Sequence, residues 1–488
     1  MTPNTVGLSG LSLYLPPYRV DLEQWCDWTG AEWEKIQRVV GTGFRLLGPQ
    51  QSIYTMAANA VLRLIKNYDI DPARVGYLAL GTESSTDNSA GAVIIKGMVD
   101  QALQDLGFPA LSRNCEVPEF KHACLGGVYG LKNALRYLAT DGDDSLAIVV
   151  CADKALYERG SSGEPTQGAG AVAMLLSTEP TIASIDLRES GTASDYRGVD
   201  FRKPLINRNG TGASADFVDI PIFNGKYSAS CYVDEMQRAL EHMYQRRKLN
   251  AFEHIKSIEA IFMHRPYQRM PETGWGMAYL FALANGGVKE HAELAGYCDA
   301  AGVAMEAFLT EMCSAPNLAQ FGVRERISDE IFPAGLTVLK TFRHTDAFDV
   351  FVRRKMSLGT EGMLELGNLY TAALPAWLAA GLEEARDRNI DLADKEVLLI
   401  GYGSGDAADA IPIRMVADWE RAAGNIDFKT ALTPLIDLTQ DQYLALRDRS
   451  TVPGLSYAPS AEFVVDRIGS ETTQVFQDAG IEYYRYIQ

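Results

Sequence analysis

Cys124 sits in the segment Phe120-Lys-His-Ala-Cys-Leu-Gly-Gly-Val-Tyr-Gly130, where two glycines follow it closely. Val128, Leu131, Leu135 and Leu138 then recur at steps of three and four, the spacing of one buried helical face. The pattern predicts a cysteine at or just before a helix N-terminus, where unpaired N–H groups and the helix dipole favour a thiolate and, later, an oxyanion. That is nucleophile chemistry. A free cysteine is also among the most buried residue types, so this segment alone reads more readily as core. Glu83 supplies a second group. It follows the apolar run Val75-Gly-Tyr-Leu-Ala-Leu80 and therefore stands at the carboxyl edge of a buried strand, where open α/β sheets bind ligands. A solvated loop acid is the competing reading. His264 ends a third such strand, Ile258-Glu-Ala-Ile-Phe-Met-His264, Asn368 lies near the start of an apolar-periodic helix, and Ser404 is flanked by glycines just after Lys395-Glu-Val-Leu-Leu-Ile-Gly401.

The elements that must carry these groups form a repeat. In the first half, residues 6–14 read as a strand, 52–67 as a helix, 75–80 as a strand, 90–106 as a helix, and 145–151 and 168–176 as strands. The small residues that begin at Gly168 suit tight packing or a close backbone approach. In the second half, a strand leads to His264, a helix opens near Asn368 and a strand leads to Ser404, in the order of Glu83, Cys124 and the strand at 145–151. The interval from His264 to Asn368 is far longer than that from Glu83 to Cys124, so the second half carries an insertion, placed at about residues 288–345. The expected organisation is a first half at 1–180, a second half at 181–430, and a C-terminal extension at 431–488 packed on the second half. Polar side chains with chemical capability at equivalent edges of two similar units predict one shared site.

Composition limits the partners. The net charge of −18 argues against nucleic acid or an anionic membrane surface, and a phosphate-bearing ligand then needs a local basic patch. The seven cysteines form no C-x-x-C pair, so neither a zinc site nor a disulfide framework is expected, and no metal-ligand spacing emerges. With neither a basic-then-apolar leader nor an apolar run of about 18 residues, a cytoplasmic protein without membrane segments is expected.

Six segments carry a family resemblance: Gly81-Thr-Glu-Ser84, Phe120-Lys-His-Ala-Cys-Leu-Gly-Gly127, Gly163-Glu-Pro-Thr-Gln-Gly-Ala-Gly-Ala-Val-Ala-Met174, Phe262-Met-His-Arg-Pro-Tyr267, Gly367-Asn-Leu-Tyr-Thr-Ala372 and Tyr402-Gly-Ser-Gly405. In order and context the chain resembles hydroxymethylglutaryl-CoA synthase, of the thiolase superfamily. The resemblance implies an α/β protein with a five-layered αβαβα fold from two duplicated halves, usually a homodimer. It implies an acyltransferase that condenses acetyl-CoA with acetoacetyl-CoA, with CoA thioesters as substrates and no separate cofactor. Cys124 would carry the acetyl group, Glu83 would move the proton of its methyl, and His264 would hold the acceptor. Asn368, Tyr370, Ser404, Gly168 and Arg269 would contact substrate, Arg269 through a CoA phosphate and Ser404 through its backbone N–H.

There are departures from the family pattern. Arg265 and Arg269 stand where serine and lysine are frequent, Thr273 replaces a second lysine, and His122 and Leu125 replace a polar residue and a tyrosine beside the nucleophile. His122 is expected to perturb Cys124, and Leu125 the acyl tunnel. Two alternatives follow: the same chemistry on thioesters of a carrier protein, as in polyketide β-branching, or a non-catalytic thiolase-fold partner in a complex.

Overall fold

The computed structural model describes residues 5–84, 90–142, 144–197, 200, 203, 220–222, 224–313, 330–448, 452, 454–455 and 457–488. In the first half, β1 (Gly7–Tyr14) is followed by helix α1 (Ile53–Asn67), β2 (Val75–Gly81), α2 (Gly91–Asp105), α3 (Gly126–Thr140), β3 (Leu146–Ala155) and β4 (Gly168–Ser177). Helix α1 begins where Ser52 and Thr55 cap each other, each hydroxyl accepting the other's backbone N–H. β2 and β3 are parallel, and such a pair needs a crossover, which the chain through α2 and α3 provides. β4 runs antiparallel to β3 on one side and to β1 on the other.

The second half repeats that plan with α4 (Gly225–Arg247), β5 (Ala260–Met263), α5 (Arg269–Ala284), α6 (Ala373–Asp387), β6 (Glu396–Gly403) and β7 (Ala407–Met415). β5 and β6 are parallel, β7 is antiparallel to β6, and Gly191–Ser194 flanks β7 as β1 flanks β4. Ala183–Ser184 pairs with β1 on one side and β7 on the other, which joins the halves into one ten-stranded sheet.

Alternation along the strands builds the layers. Leu78, Leu80, Ile148 and Val150 point one way, into a core with α1 and α2. Tyr77, Ala79, Val149 and Cys151 point the other way, into a larger core that contains α3, α6 and the second-half strands. α6 packs on β1 and β4 as well as on β5 and β6, and α3 lies so close to β6 that a Cβ on Gly401 would fall 2.7 Å from the Leu125 side chain. α4 and α5 pack together, with α4 covering β6 and β7. The order is therefore helices, strands, a shared middle pair of helices, strands, helices: the thiolase-like αβαβα fold.

The insertion is helical where it is described, at Val288–Ala301, Met305–Cys313 and Pro333–Phe342, and residues 314–329 lie outside the described residues. The C-terminal extension departs from expectation, because it packs on the first half. Glu462–Ile468 and Glu482–Ile487 form an antiparallel hairpin whose Phe463 is buried with α1, and Phe463 N–H donates to Asn59 Oδ1 at 2.8 Å. Ile436–Asp437 likewise pairs with Tyr18–Asp21. The physical reason is apolar area: α1 offers an outer surface that Phe463, Tyr484 and Tyr486 cover.

Candidate active site

Glycines let the site's elements meet. A Cβ on Gly81, at the end of β2, would lie 2.4 Å from Gly127 Cα, and one on Gly127 would lie 2.2 Å from Cys151 Sγ. The strand end bearing Glu83 and the turn bearing Cys124 thus pack backbone to backbone. The residue before the nucleophile, Ala123, is held at φ +38°, and Tyr370 in the matching segment of the second half at φ +47°. Left-handed non-glycine residues of this kind cost about 1–3 kcal/mol each and cluster at functional sites.

Asp153, fully buried near the end of β3, pins the two halves together at this point. Its Oδ1 accepts the backbone N–H groups of Glu83 at 2.8 Å and Ser84 at 2.9 Å, and the Ser84 hydroxyl at 2.5 Å. Its Oδ2 accepts the Thr371 N–H at 3.0 Å and lies against the Thr371 hydroxyl. So many donors aimed at one side chain suit a carboxylate.

A cavity of about 280 Å³ opens at this edge, with Cys124, Tyr157, His264, Asn368, Tyr402 and Ser404 in its wall. Glu83, with a side chain 14% exposed, stands beside the nucleophile: its carboxylate is hydrogen-bonded by the Ala123 backbone, and Lys203 Nζ is 3.7 Å away. Burial raises the Glu83 carboxyl above its ordinary range against the pull of Lys203, and Asp153 raises it further. Burial also pulls His264 down to about 3, so the imidazole is neutral, and its Nδ1 has no partner among the described residues. His264 is fixed from behind, since its N–H donates to the Ile400 carbonyl at 2.8 Å and its carbonyl accepts from the Tyr232 hydroxyl at 3.0 Å.

Cys124 differs from the expected thiolate. Burial pushes its thiol well above the usual range, and Asp153, Glu83 and Asp200 push it further. The helix dipole is outweighed because α3 begins two residues later and three carboxylates act on the sulfur. The resting nucleophile is a thiol.

The other expected residues separate into two groups. Asn368 and Ser404 line the cavity with Cys124, and Tyr370 is buried beside it. Asn368 Oδ1 accepts the Tyr370 N–H at 2.9 Å. Gly168 lies outside the wall, packed so tightly that an added Cβ would fall 2.6 Å from the Asn368 carbonyl oxygen; it acts by letting Asn368 come close. Arg269 opens α5, one residue before the cavity residue Met270. Arg265 is buried over the Trp377 ring at 5.1 Å. Leu125 is fully buried against Gly401 and Gly403, so it fills the middle layer and stands outside the cavity wall. His122 hydrogen-bonds the Gly403 backbone, and burial holds it below its usual range.

Asp153, Tyr157 and Tyr402 are not among the site residues expected from the sequence, although Tyr402 opens one of the six segments. Tyr157 is hydrogen-bonded to Tyr370, Asn368 and Thr166 and sits next to Cys124. A signal is available: Asp153 lies at the carboxyl end of β3 and Tyr157 two residues beyond it, and strand ends are what single out Glu83 and His264.

Comparisons with known proteins show what the chain is similar to. Residues 2–181 match the family model described as hydroxymethylglutaryl-coenzyme A synthase N terminal. Hydroxymethylglutaryl-CoA synthase A of Dictyostelium discoideum is 27% identical over 99% of this chain and 91% of its own length. Hydroxymethylglutaryl-CoA synthase of Saccharomyces cerevisiae is 26% identical over 91% of this chain and 82% of its own. Among solved structures, MvaS in complex with 3-hydroxy-3-methylglutaryl coenzyme A superposes with a TM-score of 0.76 at 23% identity, covering both chains fully. The curacin-pathway HMG synthase in complex with holo donor-ACP gives 0.70 at 18% identity, over 99% of this chain and 100% of its own. The resemblance read from the six segments holds along the whole chain.

Proposed function

We propose, for a chain that resembles the hydroxymethylglutaryl-CoA synthases from end to end, that it condenses acetyl-CoA with acetoacetyl-CoA through acetyl-Cys124 to give 3-hydroxy-3-methylglutaryl-CoA and CoA. It is an acyltransferase that forms a carbon–carbon bond. The observation that carries the reading is the shared cavity of Cys124, His264, Asn368 and Ser404, with the Glu83 carboxylate held at Ala123.

The residues divide the work. Cys124 exchanges its thiol for the acetyl group of the first thioester, and CoA leaves as its own thiol, so the step is proton-neutral overall. Glu83, made more basic by burial, takes a proton from the acetyl methyl. The resulting carbanion attacks the ketone of the acceptor, and the proton returns from Glu83 to the alkoxide. Neutral His264 and Asn368 orient the acceptor oxygens. The backbone N–H groups of Cys124 and Ser404 stabilise the thioester oxygen, each such donor contributing about 3 kcal/mol in the transition state. Water then releases the product from Cys124.

A homodimer in the cytoplasm fits this reading. The seven cysteines are free, and no helix among the described residues is long and apolar enough to cross a membrane. Acceptors on a carrier protein are the second reading, favoured by the superposition on the curacin-pathway synthase. Assay of purified protein with acetoacetyl-CoA and with an acetoacetyl carrier protein separates the two, and no turnover of free acetoacetyl-CoA overturns the first. Radiolabelled acetyl-CoA tests the roles. With Glu83→Ala, label still reaches Cys124 while condensation falls by about 100- to 10,000-fold, the usual worth of a general base. If labelling is lost as well, Glu83 is not the base of the condensation step.

A further inference from the structure

One wall of the cavity rests on two buried carboxyl groups that no step of the condensation uses. Asp406 lies in the turn between β6 and β7, two residues after Ser404, and Asp200 precedes α4 along the chain. The Tyr402 hydroxyl sits between them, 3.0 Å from Asp200 Oδ2 and 2.9 Å from Asp406 Oδ1. A phenol has one proton, so it donates to one acceptor only, and an ionised carboxyl has no proton to return. With both carboxyls ionised, one of these two contacts would set lone pair against lone pair. The geometry therefore requires a proton held by the carboxyl pair itself, one member donating to Tyr402 while Tyr402 donates to the other, as two acids at such close range cannot both ionise.

The surroundings agree. Arg197 Nη1 donates to Asp406 Oδ2 at 3.2 Å, but the same guanidinium faces Asp234 at 2.5 Å and Glu235 at 3.1 Å, so its single charge is divided among three acids. α4 brings Tyr227 and Cys231 to the cluster, and burial raises each above its ordinary range. Burial and then Asp200 push Asp406 up to about 8, against the pull of Arg197. Asp406 has nowhere to retreat, because its N–H donates to the Asp195 carbonyl at 2.8 Å and its carbonyl accepts the Asp195 N–H at 3.1 Å. What yields to repulsion is the wall. Tyr402, Ser404 and Ser228 all line the cavity; the Tyr402 ring lies along His264 with centroids 6.4 Å apart, the Ser404 hydroxyl hydrogen-bonds to Tyr402, and the Ser228 hydroxyl donates to Asp200.

We propose that Asp406 is a positioning residue for the condensing reaction: the proton it shares with Asp200 holds Tyr402, and through it Ser404, in the wall that Cys124 and His264 complete. The proposal rests on the reaction assigned above and adds a residue that need not touch substrate. Its sign is opposite to that of Glu83. Glu83 must be ionised to act as base, whereas the shared proton is present at neutral pH and is lost as pH rises through about 8. Ionisation of the Cys124 thiol would speed acylation with rising pH, so it is not the source of an alkaline fall.

The test reads protonation and reaction separately on the full chain. Infrared titration without substrate should show a component of the protonated-carboxyl band that disappears near pH 8 and is missing from Asp200→Asn, whose amide donates to Tyr402 at every pH. In the parent, kcat for condensation should fall about tenfold for each pH unit above that transition, with KM for acetyl-CoA little changed. Asp200→Asn should lack the fall whatever its kcat at neutral pH. Asp406→Ala should lose it too, and start from a kcat about 10- to 100-fold below the parent, as a loosened wall implies. A parent kcat that stays level through the transition, a fall that survives Asp200→Asn, or the absence of the titrating band overturns the proposal. Failure of the reaction looks different: the band titrates and is missing from Asp200→Asn, yet acetyl-CoA never labels Cys124, which refutes the condensation and leaves the shared proton standing.

Discussion

Asp153→Asn isolates what holds the two halves of the site in register. The change keeps the shape of a fully buried side chain and removes its charge. An amide oxygen placed at Oδ1 still accepts from the Glu83 and Ser84 N–H groups at 2.8 and 2.9 Å. The amide nitrogen then faces the Thr371 N–H, which the carboxylate accepts at 3.0 Å, donor against donor. One buried N–H left without an acceptor costs about 1–3 kcal/mol, enough to destabilise the fold without abolishing it. The kinetic effect is of the same order. Thr371 belongs to the segment that carries Asn368, and releasing it lets the second-half contacts shift against Glu83; a misplacement of about 1 Å costs about 100-fold in rate. The charge change acts on Cys124 in the opposite direction. Asp153 is the largest of the carboxylate effects that raise the thiol, so its loss lowers the thiol's pKa and enlarges the thiolate fraction. The expected result is condensation slowed by about 100-fold with alkylation of Cys124 by iodoacetamide faster than in the parent at mildly alkaline pH. Alkylation that slows together with kcat indicates collapse of the pocket, and an unchanged kcat removes the pinning role; either refutes the reasoning.

Other perturbations follow from the same structure. Gly168→Ala brings a methyl to 2.6 Å from the Asn368 carbonyl oxygen and 2.7 Å from that of Leu366; both are backbone atoms. It should cost about 1–3 kcal/mol in thermal unfolding and lower kcat through Asn368, whereas a parent-like kcat would place Gly168 outside the site's support. Behind the site, buried Arg197 faces Asp234 at 2.5 Å, Glu235 at 3.1 Å and Asp406 at 3.2 Å. Burial pushes Glu235 up to about 7 and Asp406 to about 8, so the native state binds more protons than the unfolded chain above the ordinary carboxylate range. The sign is therefore negative, and stability falls as pH rises from that range to about 8. Calorimetric melting across that window should show the fall, and Glu235→Gln should flatten it; an unchanged slope would assign it to other groups.

Much of the fold is legible because burial on both faces of a strand writes a continuous apolar run. β2, β3, β4 and β6 are of this kind, and each lies within a residue or a few of its expected bounds. The repeat is legible for the same reason, since two halves that share a middle layer must bury the same faces. The seat of the C-terminal hairpin is not legible, because nothing in a short amphipathic strand names the surface it covers. Phe463 finds α1 through three-dimensional proximity across some four hundred residues of chain, and hydrogen bonds to Asn59 seal the choice.

At the site, sequence order located the groups that end strands or begin helices, because topology sends those positions to one edge. It did not reveal how each group is tuned. Cys124 reads as a thiolate from its helix alone, yet the carboxylates that oppose the dipole come from β3 and from the segment at Asp200. Glu83 reads as a solvated acid or a base with equal ease until the burial of its surroundings is known. Both outcomes have one cause: pairing and desolvation are properties of neighbours, and neighbours here come from other strands and segments far along the chain, Asp153 on β3 and the segment at 200–203. Substitutions at Asp153 should therefore change the reactivity of Cys124 with every thioester, which labelling with acetyl-CoA and with acetyl-pantetheine would check.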